Sequence, residues 1–336
     1  MVPSIQIFST CPASNQSDPH NYRQQVIDVA RWSEQAGCEG ILVYTDNGLV
    51  DPWMVSQLII ENTNSISPLV AVQPVYMHPY TVAKKISTLG FLYGRRVCLN
   101  LVAGGFVNDL QAMGDRTPHD DRYLRLVEYA KVIKGLLQGA RGLSFDGKYY
   151  QVKNLRLAPP LPDEMQPDLM ISGSSAAGFA AACETGATAI KYPQPPGEED
   201  ALDASLSINC GVRVGLVARQ DSDSAWEVAH RRFPADRQGQ LAHDLAMKTS
   251  DSHWHQQLSA RIPTARGEQS PYWLIPFQHY KTFCPYLVGS YQCVADEIAS
   301  YVALGYRTFL LDIPPDEQEL KHTAEVFRLA LEHCPS

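Results

Sequence analysis

The stretch "DLMISGSSAAGFAAACETGATAIKY" (residues 168–192) passes from an apolar strand pattern, through a turn of small residues, into a helix and out into a second apolar strand. Strands at 168–175 and 188–192 lack polar alternation, as expected of a parallel sheet covered by helices on both faces. The turn "SGSS" places hydroxyls and backbone N–H groups at a helix start. It reads either as a phosphate cradle without a Walker lysine or as small residues easing a tight strand-to-helix turn.

The same strand-then-helix unit recurs along the whole chain. Further strand patterns occupy 5–10, 40–46, 68–76, 96–104, 211–219 and 307–313. Helical patterns occupy 20–36, 52–63, 79–92, 118–138, 175–185, 222–232, 291–304 and 316–333. Eight such units in 336 residues predict a single α/β domain over 1–336, a (β/α)8 TIM barrel with insertions at its C-terminal face. An open doubly wound sheet would call for a glycine-rich fingerprint after the first strand, and "STCPASN" (9–15) has no glycine. Two segments interrupt the rhythm. Residues 139–167 carry a Phe-Asp-Gly-Lys-Tyr hairpin signal and a proline-rich return, and the long polar segment 233–290 reads as a lid over the barrel mouth.

Composition narrows the function. A net charge of −8 without a Lys/Arg-rich block argues against nucleic acid. No apolar run reaches the roughly 18 residues of a membrane span, and the N-terminus has no signal-peptide pattern, so a cytoplasmic location is expected. The eight cysteines form no C-x-x-C pair, and "HWH" (253–255) has no third ligand at sensible spacing, so no metal is expected.

Barrel chemistry gathers where strands end. Those ends are Thr10-Cys11, Thr45-Asp46-Asn47, Gln73, Asn100, Gly104-Gly105, Ser172 to Ser175, Lys191-Tyr192, Arg213 and Asp312. A second polar concentration is "TPHDDRYLRLVEY" (117–129), which opens a long helix. Thr117 is its expected N-cap, Pro118 its first residue, and Asp120 completes a capping box. His119 and Tyr123, four apart, share a face beside free N–H groups that suit an anion.

Together, "RRVCLNLVAGG", "HDDRYLRLVEYAKVIKGLL" and "FDGKYYQVKNLRLAPPLPDEMQPDLMISGSSAAGFAAACETG", in that order and spacing, resemble the bacterial-luciferase-like flavin-dependent monooxygenases, nearest the alkanesulfonate monooxygenase branch. The similarity runs from about residue 5 to 233 and resumes at "GSYQCVADEIASYVALGYRTFLLD" (289–312). It implies an enzyme that binds reduced FMN (FMNH2), supplied by a separate NAD(P)H:flavin reductase, and uses O2 to oxygenate a small organic substrate. A homodimer or homotetramer is implied too. His119, Tyr123, Gly173, Ser174 and Ser175 correspond to the FMN phosphate site. Asn100 falls at the flavin edge, and Gln73 lies beside a strand-end peptide that is commonly strained in the family. Asp121 and Arg122 are expected in local ion pairs on the helix surface.

The sulfonate-oxidising relatives surround their substrate with a histidine, a cysteine, two arginines and a tyrosine. Only Arg213 is retained clearly here, while Cys11, Leu49, Gly215 and Ile313 stand at other positions of that set. The loop arginine has no counterpart within 276–289. A different substrate is therefore expected, with Arg213 as the catalytic residue and Cys11, Trp53 and Tyr192 at the substrate. A desulfonating monooxygenase and a deazaflavin-dependent oxidoreductase on the same fold are the alternative readings. Lys191 is expected in a structural or substrate-facing role rather than as a Schiff base.

Overall fold

The computed structural model describes residues 4–139, 142–173, 175–199, 201–202, 208–249, 258–259 and 270–332. Ser174 and the 253–255 histidines lie outside the described residues, as does most of 250–269.

Eight parallel strands close into a barrel. They are β1 (Gln6–Thr10), β2 (Gly40–Val43), β3 (Ser67–Val72), β4 (Cys98–Leu101), β7 (Leu169–Ser172), β8 (Thr188–Lys191), β9 (Cys210–Arg219) and β12 (Thr308–Leu311). Each pairs with the next in that order, and β12 closes the ring by pairing with β1. Most strands are only four residues long, shorter than their apolar patterns, so the polar ends leave the sheet as loops over the barrel mouth. Between β4 and β7 an antiparallel pair, β5 (Leu143–Asp146) and β6 (Gln151–Leu155), forms the hairpin. Its turn is pinned by the Glu128 carboxylate, which accepts from the backbone N–H groups of Lys148, Tyr149 and Tyr150.

The helices that matter for the site are α1 (Pro19–Gln35), α2 (Pro52–Asn62), α3 (Pro79–Tyr93), α4 (Val107–Ala112), α5 (His119–Gln138) and α6 (Ala176–Thr185). Strand pleating sorts side chains into two layers. Phe8, Leu42, Leu69, Ala71, Cys98, Met170, Ile190 and Leu310 pack together inside the barrel. Alternate residues such as Ile41 and Val43 face the helices instead. Two steps further along each strand from the interior set stand Tyr44, Gln73, Asn100, Ser172, Tyr192 and Asp312. All six line the cavity at the barrel mouth.

The segment 233–290 is not a loop throughout. Helix α7 (Ser222–Arg232) precedes α8 (Arg237–Thr249), and the far end holds β10 (Tyr272–Trp273), a short turn of helix α9 (Ile275–Gln278) and β11 (Tyr286–Ser290). β9 has ten residues. Its first half pairs with β8 and β12 within the barrel, while Gly215–Arg219 pair in parallel with β11. Gly215 permits this arrangement, since a Cβ there would lie 2.3 Å from the Tyr286 ring. Helices α10 (Tyr291–Ala303) and α11 (Glu317–Glu332) complete the outer layer. Among the described residues, no helix is long and apolar enough to cross a membrane.

The start of α5 differs from its expected cap. Pro118 is the N-cap and no side chain caps the helix. Thr117 instead donates its hydroxyl to Asp115 at 2.6 Å, and Asp115 also pairs with Arg125. The charged partner outcompetes the capping box for the threonine.

Candidate active site

A cavity of about 570 Å³ opens at the C-terminal ends of the strands. One corner is formed where the starts of α5 and α6 meet. His119, Tyr123, Gly173 and Ser175 line it together. The Tyr123 hydroxyl lies against Gly173, where a Cβ would come within 2.6 Å of it, and its ring lies over Gly178. The small residues of the strand-to-helix turn therefore make room for the phenol. His119 and Tyr123 stack edge to face with centroids 5.2 Å apart, and His119 Nδ1 sits 2.7 Å from Asp120 Oδ1. Ser175 is the N-cap of α6, its oxygen accepting from the Gly178 N–H at 3.1 Å. An oxygen engaged as acceptor leaves its own O–H available as a donor. This corner offers hydroxyl, phenol, imidazole and backbone donors beside two positive helix ends, a donor set that fits a phosphate dianion.

Along the wall, Ser172 Oγ donates to Asn100 Oδ1 at 2.9 Å, which leaves the Asn100 NH2 as the remaining donor. Gln73 is buried, lines the cavity, and makes no side-chain hydrogen bond with a described residue. The strained peptide expected beside it is not observed. Among the described residues the one cis peptide is Ala158–Pro159, and the Gln73 carbonyl accepts from Tyr76 N–H in an ordinary turn.

Arg213 stands on the opposite wall and is 7% exposed. Its Nη2 donates to the Tyr44 hydroxyl and its Nη1 reaches the Tyr192 hydroxyl at 3.4 Å. The guanidinium carbon lies 5.0 Å and 5.9 Å from the centroids of those two rings. Nε is buried and has no hydrogen-bond partner among the described residues. No described carboxylate pairs with this cation. Asp312, the obvious candidate, accepts instead from Thr282 Oγ1 at 2.6 Å and Tyr286 Oη at 2.8 Å. Burial, reinforced by Cys284 and Asp312, pushes the Tyr192 phenol well above its ordinary pKa, so it stays protonated. A buried guanidinium met only by neutral oxygens is costly, and an anion entering the cavity would compensate it.

Three expected residues fall elsewhere. Cys11 is buried among Val26, Val29 and Ile41, on the helix-facing side of β1. Burial raises its thiol pKa, which makes it a packing residue. Trp53 is buried in α2 against the helix-facing core and carries Lys85 over its ring, outside the cavity walls. Arg122 is buried, donating to the Thr117 carbonyl, and is not on the helix surface. Asp121 pairs with Lys148 and accepts from Tyr149, tying α5 to the hairpin. Lys191 pairs with the buried Glu199 behind the strand end, on the other pleat from Tyr192.

Several cavity residues escaped the sequence reading. Tyr44, the acceptor for Arg213, lies two residues beyond interior Leu42 and carried that signal. Asp109 on α4 and Tyr280 to Phe283 from the far end of the 233–290 segment also line the mouth. Lys281 occupies the loop that lacked an arginine, and is bound to Asp236 at 2.5 Å. Leu49 and Ile313 line the cavity as apolar walls, whereas Gly215 is covered by Tyr286. Among the described residues no cluster of three or more His, Cys, Asp or Glu could hold a metal.

Comparison with known proteins agrees with this architecture. The luciferase-like monooxygenase family model matches residues 5–308. BtrO of Niallia circulans is 31% identical over 331 residues, covering 96% of each chain. Its name describes a monooxygenase of 4-(gamma-L-glutamylamino)butanoyl groups on the BtrI acyl-carrier protein. Among solved structures, EDTA monooxygenase EmoA from Chelativorans sp. BNC1 superposes with a TM-score of 0.75 at 17% identity, covering 98% of this chain and 94% of that one. A coenzyme-F420-dependent secondary alcohol dehydrogenase superposes with a TM-score of 0.67 at 19% identity, covering 97% of this chain and 99% of that one.

Proposed function

The chain belongs to the luciferase-like monooxygenase family, and from that premise we propose that it binds reduced FMN and uses dioxygen to oxygenate a small organic substrate. The observation that carries this reading is the corner where α5 and α6 begin: His119, Tyr123, Gly173 and Ser175 converge there, within one cavity that also holds the buried cation Arg213. The phosphate of FMN would sit in that corner, and Ser174 would join it. Asn100 and Gln73 would hydrogen-bond the edge of the isoalloxazine. When bound, the reduced flavin supplies the electrons that activate dioxygen. A separate NAD(P)H:flavin reductase would deliver it.

The protein's own contribution is placement and polarity. With ligands in place, the mouth loops and the 280–283 segment would shut water away from the reacting centre. Arg213, held between Tyr44 and Tyr192, compensates negative charge on the substrate or on reduced oxygen. The phenol of Tyr192 holds its proton, so it acts through hydrogen bonds, its oxygen accepting from Arg213, rather than by giving up a proton. Leu49 and Ile313 present hydrocarbon where sulfonate chemistry would require donors, so a simple alkanesulfonate is not the proposed substrate. The name of BtrO supports an acyl group as one class to test.

The test is anaerobic titration with reduced FMN and with a reduced deazaflavin, followed by 18O2 turnover and mass spectrometry of candidate products. Tight FMN binding with one 18O atom in the product supports the assignment. Exclusive binding of the deazaflavin would replace it with hydride transfer.

A further inference from the structure

The mouth of the cavity carries a second polar centre, opposite in sign to Arg213. Asp46, at the exit of β2, and Asp109, on α4, both line the cavity, and among the described residues neither carboxylate forms an ion pair. Asp46 Oδ1 accepts from the Gly48 N–H at 2.6 Å, and Asn47, the next residue, bonds the Asp109 carbonyl, so the two loops meet at the mouth. Burial and the charge of Asp46 together raise the pKa of Asp109. Two half-buried tyrosines share this space. Burial, Asp46 and Asp109 push the Tyr76 phenol up to about 12 and raise that of Tyr280. The loops are fixed in this arrangement: Tyr76 Oη donates to Asn47 Oδ1 at 2.7 Å, and Asn47 Nδ2 donates to the Asp109 carbonyl at 3.2 Å. Tyr280 is held at φ 55°, a left-handed conformation rare for a tyrosine.

Two carboxylates lining the same cavity mouth as Tyr76 and Tyr280 suit an organic ammonium group, by Coulomb attraction and by cation–π contact. The opposite wall adds an independent sign of a ligand. Arg213 is more than nine-tenths buried and lines the same space, and among the described residues its Nε has no hydrogen-bond partner and no carboxylate pairs with it. Its acceptor Tyr44 and the carboxylate Asp46 stand two residues apart in the chain just beyond β2, and both line this one cavity. A compact molecule can span the two centres.

We propose that the substrate of this cavity bears both charges: an ammonium group seated by Asp46 and Asp109 between Tyr76 and Tyr280, and a carboxylate, or an acyl oxygen in its place, at Arg213. This rests on the reading of the cavity as a substrate site, and it adds the substrate class, an amino-bearing acid or its acyl derivative. One polar end alone would leave the other wall's charge uncompensated, so the site selects for the pair.

Calorimetric titration of the full chain, with and without FMN, against straight-chain ω-amino acids of three to six carbons, their parent carboxylic acids and the parent amines tests this. At least one amino acid should bind tenfold or more tightly than both the acid and the amine of its length. Asp46→Asn and Asp109→Asn should each erase the preference over the acid while leaving affinity for the acid within about twofold. Far-ultraviolet circular dichroism and melting temperature establish that each variant is folded. Equal affinity for acid and amino acid, a preference that survives both substitutions, or no binding by any member of the series would overturn the proposal. None of these results depends on flavin, so the oxygenase reading stands or falls separately on FMN binding.

Discussion

Replacing Arg213 with methionine separates a ligand-binding cation from a structural one. Arg213→Met keeps much of the side-chain volume, removes the charge, and frees the hydroxyls of Tyr44 and Tyr192, which can bond water from the cavity. If Arg213 held the barrel together through Asp312, its loss would strand a buried carboxylate and cost about 3–5 kcal/mol. Asp312 is already satisfied by Thr282 and Tyr286, so that penalty does not arise. Removing an uncompensated buried charge should leave stability unchanged or raise it by about 1 kcal/mol. Ligand affinity behaves differently. Two charge-assisted hydrogen bonds to a carboxylate, at about 1.5 kcal/mol or more each, amount to about 3 kcal/mol, a loss of at least 100-fold in affinity. The assay pairs urea denaturation of the ligand-free protein with calorimetry against a short carboxylate such as butanoate. A variant destabilised by 3 kcal/mol or more that still binds butanoate normally would refute the reasoning and return Arg213 to the scaffold.

Other outcomes follow from close approaches and from one ion pair. Gly173→Ala drives a methyl into the Tyr123 hydroxyl, so FMN affinity should fall about tenfold or more while the protein stays folded; flavin fluorescence quenching reads it, and unchanged affinity would remove Tyr123 from the phosphate corner. Gly215→Ala places a methyl on the Tyr286 ring, where no flexible chain end can yield, and should cost at least about 1–3 kcal/mol in chemical denaturation. Asp115 has its carboxyl pKa held at about 2 by hydrogen bonds from Arg125 and Thr117, which outweigh the upward push of burial. Because its folded value lies below the unfolded one near 4, its contribution is present above pH 4 and lost as pH falls through about 2. Asp115→Asn should thus lower the melting temperature at pH 7, and the gap from the parent protein should shrink as pH is lowered from 4 to 2. A constant gap would contradict the assignment.

The strands and helices of the barrel were legible because they are apolar on both faces and interrupted by polar turns, a pattern that few folds share. That same two-sided hydrophobicity hid the pleat. Cys11 and Thr10 look equivalent at the end of β1, and Lys191 and Tyr192 at the end of β8, yet only one residue of each pair points inward. Counting by twos from the interior residues Leu42, Cys98, Met170 and Ile190 assigns Tyr44, Asn100, Ser172 and Tyr192 correctly, but the interior set had first to be known. Strand β11 was missed because "YLVGS" is short and runs straight into a helix, although a ten-residue β9 is too long for its barrel neighbours and calls for an extra partner. Asp109 and Tyr280 reach the mouth from α4 and the end of α9, positions with no periodic signal. The corner where α5 and α6 begin was more accessible, since both helix starts carry clustered donors in sequence.

The central claim is that two helix starts and their donors hold the phosphate of reduced FMN, and anaerobic titration of the same protein with reduced FMN and reduced riboflavin tests it most directly. The two ligands share the ring and the ribityl chain and differ only in the phosphate. Two or more charge-assisted hydrogen bonds at about 1.5–3 kcal/mol each predict that FMN binds at least about 100-fold more tightly. Equal affinity for the two would contradict the account.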